Sequence, residues 1–296
     1  MPCPYKLPEN FRRAAVGFLS MTSPTTLKAP AVAVSRGQEK WRAPLYSILI
    51  LIAFVMLWQF ISTPSIEGRT EGLPGPVAVI GKTVKELSTP FRNNGLNDQG
   101  IGFQMIASLT RVAYGYILAA VVAILGGVAL GLSPTLFKAF NPFIQLLKPV
   151  SPLAWMPLFL YTIKDSNQAI VLVIFMSSLW PTLANTAFGV ANIRTDHLRV
   201  AALLQLTPLQ RLFQIILPAA APNIIAGLRI SLGAAWIAIV AAEMLVGNKG
   251  IGYFLWNEWN NLSLTSVMFS ILMIGGFGFA LDARLGWAAK RVVYAE

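Results

Sequence analysis

The sequence predicts an all-α integral membrane protein with six transmembrane helices and both termini on the cytoplasmic side, and three observations carry that expectation. The mean hydropathy is +0.62 and only 12% of residues are charged, where a soluble domain carries about a quarter. Six stretches reach the about 20 apolar residues that a spanning helix needs: 44–63, 105–132, 142–163, 168–190, 219–246 and 264–286. Lysine and arginine are divided unequally between the loops. Fourteen fall in 1–43, 133–141, 191–217 and 284–296, and the opposite loops hold six, Arg69, Lys82, Lys85, Arg92, Lys164 and Lys249. Positive residues gather on the cytoplasmic side, so this division predicts an N-in, C-in chain. The net charge of +11 therefore reads as topology. A nucleic-acid face would collect its basic residues on one soluble surface with aromatics among them, and here they are scattered over loops.

Residues 1–43 read as a cytoplasmic tail, largely disordered. The apolar run in FRRAAVGFL is short and lacks a small-residue cleavage site, and the Pro/Thr/Ala-rich stretch after it has little to bury. Met21 is as good a start as Met1. The single cysteine, Cys3, excludes an intrachain disulfide and a cysteine-based metal site. The transmembrane domain is expected over 44–290, with 291–296 as the cytoplasmic C-terminus. Its first span has Trp41 before it and Trp58 near its far end, which suits the two interfaces. Residues 64–104 form an outer segment with turn formers at Pro74, Gly75, Pro76 and Gly95, and a short amphipathic piece, VAVIGKTVKEL, between them. The second span carries Gly127 and Gly131 at a spacing that lets another helix approach closely. The third holds Pro142, Pro149, Pro152 and Pro157, a density that predicts kinks or a break held by neighbouring protein or water. After the fifth span, Ile251, Phe254, Leu255 and Trp259 share a face of a short outer helix. The chain shows no internal repeat of the kind that marks inverted-repeat carriers.

Four ionisable residues lie inside the spans as drawn: Arg111, Lys148, Arg229 and Glu243. Charge at that depth faces protein or water unless it snorkels. Arg111 and Glu243 fall near the outer side and have opposite signs, which fits a structural ion pair or an outer gate. Lys148 and Arg229 lie toward the inner side, where the sequence offers no acidic residue at their depth. They either reach lipid phosphate or give an inner vestibule a positive potential that favours anions. Ser151, Trp155, Ser177, Trp180, Asn185, Ser231 and Trp236 are the other polar or amphipathic side chains at membrane depth. Small hydroxyls there commonly bond across helices or to their own backbone. The candidate translocation path is Lys148, Ser151, Trp155, Trp180, Arg229 and Ser231. There is no GxxxxGK[ST] phosphate loop, HExxH or GxSxG. The single histidine, His197, excludes a multi-histidine metal centre and is either a solvated loop residue or a contact for a partner. No metal and no bound cofactor is expected.

Between the fourth and fifth spans a polar stretch carries Arg194, Asp196, His197, Arg199 and Arg211 and runs into Leu217-Pro218. Aligned on that Leu-Pro, RVAALLQLTPLQRLFQIILP resembles the cytoplasmic EAA loop of ABC importer permeases, whose pattern is Glu-Ala-Ala, three variable residues, Gly, nine more, then Ile-x-Leu-Pro. Ala201, Ile215, Leu217 and Pro218 fit. Arg199, Val200 and Gln205 stand where Glu, Ala and Gly are expected. The runs ASLTRVAYGY, LLKPVSPLAWMPL, LPAAAPNIIAGLRISLGAAWIAIVAAEMLVG and GIGYFLWNEWNN are similar to type I importer permeases of the nitrate, bicarbonate and taurine-sulfonate branch. Together with NDQGIGFQ they most resemble the nitrate permeases.

This resemblance implies the six-helix type I permease fold in a bacterial inner membrane and a homodimeric pore in contact with lipid. It further implies an outer solute-binding protein and two cytoplasmic ATPase subunits that hold the ATP-Mg. On the same grounds Arg199, Val200, Ala201, Ala202, Gln205, Leu206, Thr207 and Leu209 would form the ATPase-coupling loop, and the chain would be a transporter subunit without catalytic residues. Nitrate or nitrite is the expected substrate, with taurine or another sulfonate, then bicarbonate or cyanate, as runners-up. A channel or self-sufficient carrier, which needs no ATPase, and a membrane-embedded enzyme relying on Glu243 are the rival classes.

Overall fold

Helices begin and end where prolines, glycines and polar caps interrupt the apolar runs. The computed structural model describes residues 39–62, 72–93, 95, 99–194, 199, 201 and 203–292. The chain divides into two units after Val55. Helix α1, Glu39–Ile61, begins in the first and ends in the second. In the second unit Trp58 Nε1 donates to the Pro74 carbonyl at 3.1 Å. Helix α2, Pro76–Ser88, follows, starting on a proline whose fixed φ and missing N–H suit a first helical turn. It buries Val79 and Glu86 and packs against the last helix of the chain. Glu86 is held there by Lys82 at 3.0 Å, one helical turn away.

Helix α3, Ile101–Leu132, lies along α6, Ser166–Ala191. Glycines set that approach. A Cβ on Gly127 would stand 2.6 Å from Thr186 Cβ, and one on Gly131 would stand 2.6 Å from Val190 Cβ. Helix α6 lies in turn against α7, Leu217–Val246, where Thr182 Oγ1 donates to Ser231 Oγ at 2.8 Å. The main core joins α3, α6 and α7 to α8, Ile251–Asn260, and α9, Leu264–Val292. Ile170, Ile174, Ile239, Ile251 and Phe269 are fully buried in it. A smaller apolar cluster, Val190, Ile216, Ala220 and Ile224, sits at the other end of α7. The short helix expected after the fifth span is α8; its buried face is Ile251, Gly252 and Phe254, and Trp259 is exposed.

Among the described residues five helices are long and apolar enough to cross a bilayer, and a sixth span exists if one bent pair is counted as a unit. That pair corrects the expected third span and the loop before it. Residues 134–141, read as a cytoplasmic loop, belong to helix α4, Pro134–Leu147, whose start is capped by Ser133. After Leu147 the chain breaks, forms a 3-10 turn at Pro152–Trp155, and continues as α5, Met156–Ile163, bent by 86° from α4. Pro149 and Pro152 supply no backbone N–H, and Ser151 before Pro152 is extended at ψ 128° while Lys148 stays helical, so the helix cannot run through. The last helix extends to Val292, beyond the residue 286 at which its apolar run ends.

The polar stretch between α6 and α7 is also broken. Arg199, Ala201 and Leu203 are helical, Leu204 and Gln205 turn, and a new helical turn starts at Pro208–Arg211. Thr207 and Gln210 cap it reciprocally, Thr207 N–H to Gln210 Oε1 at 2.9 Å and Gln210 N–H to Thr207 Oγ1 at 3.4 Å. Pro208 forces Thr207 into an extended conformation. Leu212–Ile216 is a π-helical turn that leads into α7. Pro218 cannot donate to Gln214, and the wider turn takes up that loss as Leu217 N–H bonds Leu212 five residues back. Val200, Ala202 and His197 lie outside the described residues, as do Cys3 and most of the expected tail.

Candidate functional site

Two ion pairs at membrane depth organise the second unit, and they differ in burial. Arg111 on α3 and Glu243 on α7 meet at 2.7 Å with side chains 10% and 0% exposed. Polar groups from several elements satisfy both partners. Ser108 Oγ donates to both Glu243 oxygens at 2.9 and 2.8 Å, and Gly252 N–H donates to Oε2 at 3.1 Å. Arg111 also donates to the Lys249 carbonyl at 2.5 Å and to Asn167 Oδ1 on α6. Ile251 N–H donates to Ser108 Oγ, and Gly250 N–H donates to Gln104 Oε1 at 2.6 Å. A fully buried carboxylate is thus surrounded by donors, which is the condition for keeping a charge in a low-dielectric interior. Gly250 makes the arrangement fit. Its φ is +123°, and a Cβ there would stand 2.2 Å from the Glu243 carboxyl. The network fastens α3, α6, α7 and the start of α8 to one another.

The second pair corrects a sequence reading. Arg229 has an acidic partner at its own depth: Nε–H and Nη2–H donate to the two oxygens of Asp282 on α9, at 2.6 and 2.5 Å. Asp282 lies inside the sixth span as drawn, so Glu243 is not the single acid within the spans. Depth counted on each helix separately would have found it. Arg229 stands 12 residues from the start of α7 and Asp282 10 residues from the end of α9, about 18 and 15 Å along their axes. The side chains are 51% and 47% exposed.

The other candidates separate. Lys148 is exposed at the break after α4 and has no ion-pair or side-chain hydrogen-bond partner among the described residues. Ser151 is exposed beside it, and Trp155 stacks on Phe159 at 6.3 Å. Trp180 is half-buried on α6. Ser231 is fully buried between α6 and α7, donating to the Leu228 carbonyl at 2.9 Å. Ser177 bonds its own helix at Ile174, Asn185 bonds Pro181, and Trp236 Nε1 donates to Ile274 on α9 at 2.9 Å. In the loop Ala201 is buried, while Leu203, Leu204, Leu209 and Phe213 are between 63% and 82% exposed. Gln205 has φ +48°, a left-handed conformation at the position where the loop pattern carries glycine. Among the described residues no three His, Cys, Asp or Glu side chains gather as a metal ion would require.

Apolar helices of spanning length, a proline-broken span and ion pairs at membrane depth define a multi-pass integral membrane protein. Residues 115–294 match the family model described as binding-protein-dependent transport system inner membrane component, and the chain belongs to that family. Among its relatives is the nitrate import permease protein NrtB of Synechocystis, 38% identical over 253 residues, 86% of this chain and 90% of that protein. The bicarbonate transport system permease protein CmpB of Synechococcus elongatus is 37% identical over 264 residues, 87% of this chain and 94% of that one. The taurine transport system permease protein TauC of Escherichia coli is 31% identical over 258 residues, 86% and 92% of the two chains.

Proposed function

We propose that this chain forms the transmembrane path of an ATP-driven, binding-protein-dependent importer of a small oxyanion, nitrate or nitrite. The observation that carries the substrate is the gradient of identity, 38–41% to nitrate import permeases against 31% to the taurine permease. Bicarbonate is the second reading, because its permeases are 37–38% identical over 264 and 265 residues. In this reading two copies frame the path, a solute-binding protein delivers the anion outside, and two ATPase subunits hydrolyse ATP-Mg against the loop at Arg199–Leu209. Four large apolar side chains exposed on a polar loop, Leu203, Leu204, Leu209 and Phe213, form a surface of the kind that a partner protein covers. Motion of that surface reaches the spans through the Pro208–Arg211 turn and the π-helical turn, which are continuous with α7.

The test is uptake into proteoliposomes that hold the chain with its co-purifying ATPase and binding-protein partners. Nitrate uptake that requires ATP is expected. Uptake of bicarbonate in its place selects the second reading, and flux from the chain alone, with no ATPase, overturns the importer reading in favour of a channel or carrier.

A further inference from the structure

We propose that Asp282 is a resident stand-in for the transported anion, which occupies the Arg229 fork until a passing planar oxyanion displaces it. The proposal rests on the oxyanion reading above and assigns a residue pair to it. Its first support is shape. Arg229 offers two parallel donors, Nε–H and Nη2–H, and Asp282 fills them with two in-plane oxygens at 2.6 and 2.5 Å. A planar guanidinium selects this bidentate geometry. Nitrate and bicarbonate present the same edge, two oxygens on one trigonal atom, so the fork takes either as it takes the carboxylate.

The second support is place. The Arg111–Glu243 pair is shut away, whereas Arg229 and Asp282 are each about half exposed and lie deep along helices of spanning length. An ion pair cannot be left open to hydrocarbon at that depth, so its open side meets water or protein. Room is the third. Gly286 lies beside the guanidinium, where a Cβ would reach contact at 3.6 Å from Arg229 Cζ. The missing side chain leaves that side of the fork approachable.

The arrangement also solves a problem of transport. A bare arginine in a path would hold an anion and slow its release. With Asp282 tethered beside it, an entering anion must compete for the donors. Once it wins, it sits next to an unpaired carboxylate that repels it onward. Binding and expulsion are then balanced within one site, and the fork holds no net charge between passages.

The proposal is tested on the purified permease–ATPase complex in detergent without binding protein, with nitrate as the probe in a titration. Asp282→Asn frees the fork, and its nitrate affinity should rise by on the order of tenfold or more over wild type. Uptake per assembled complex, measured in proteoliposomes with the binding protein, should fall in the same variant because release slows. Affinity and rate equal to wild type overturn the proposal. Should Asp282→Asn fail to assemble, the charge-free double variant Arg229→Gln/Asp282→Asn leaves no lone charge in the span. It should assemble yet take up nitrate at least about tenfold more slowly, and an unchanged rate shows that the pair only ties α7 to α9. Wild-type uptake separates the two ideas. A wild type that carries nitrate or bicarbonate while the variants behave normally sinks the Asp282 role alone. A wild type that carries only taurine sinks the nitrate and bicarbonate readings on which the proposal rests.

Discussion

At Gly250 one hydrogen atom decides whether the buried ion pair can form. Its φ of +123° and the 2.2 Å approach of a modest Cβ to the Glu243 carboxyl leave no space that a side chain could take without moving the carboxylate. Gly250→Ala should therefore lower the yield of folded protein sharply, which fluorescence-detected size-exclusion in detergent reads directly. Glu243→Gln tests the pair from the other side. The amide keeps acceptor oxygen for Gly252 and Ser108 but leaves the Arg111 cation without a counter-ion, at a cost of about 3 kcal/mol for a broken buried pair. The melting temperature of the solubilised protein should drop accordingly, and an unchanged value would mean that the charge on Glu243 is not needed. Gln205 works in the opposite sense. A left-handed residue other than glycine is strained, so Gln205→Gly should stabilise the loop by about 1 kcal/mol, seen as slower proteolysis between Ala201 and Arg211. The sequence marked this position as a departure from the loop pattern. Only backbone geometry shows that the chain still adopts the conformation for which the missing glycine is suited.

Among the elements, the close approach of α3 and α6 was legible in the sequence and the broken span was only half so. Gly127 and Gly131 are spaced four apart on an apolar helix, and that spacing alone anticipates a near neighbour. Gly131→Leu should force Val190 away and destabilise the protein by about 1–3 kcal/mol, the usual cost of overpacking, again measured by thermal melting. The four prolines of 142–157 announced irregularity, but not where it would fall. Hydropathy averages over a window and cannot separate a helix that ends at Leu147 from one that bends there. The same averaging hid Asp282, which is one acid near the end of an otherwise apolar run. Its role depends on a partner 53 positions away in the chain, and no local pattern encodes that pairing. Ser108, Gln104 and Asn167 were missed for the same reason, since each matters only through what it meets on another helix. The loop carries its own test. Leu209→Asp should release the ATPase subunits from the purified complex while the spans stay folded, and co-purification in normal ratio would move the docking surface elsewhere.

For the whole molecule, orientation is the simplest property to check. In a Cys3→Ser background, a cysteine at Gly95 should react with an impermeant maleimide from outside intact cells, and one at Gln210 only after the membrane is opened; the reverse pattern inverts the N-in, C-in topology. A different consequence follows from the uneven distribution of polar bonds along α7. Near Val246 the helix is pinned by the polar Glu243 network, and near Leu217 it is held by an apolar cluster and a π-helical turn. A rod held by polar bonds at one end and by less directional apolar contacts at the other tilts as a lever with its fulcrum at Glu243. From that fulcrum the arm to Leu217 is about 39 Å and the arm to Arg229 about 21 Å at the helical rise per residue. A tilt of about 10° would sweep the loop end through about 7 Å and carry Arg229 through about 4 Å, more than enough to draw its donors out of reach of Asp282. A modest displacement where the loop begins would thus open the arginine fork without disturbing the fulcrum that holds the helices together.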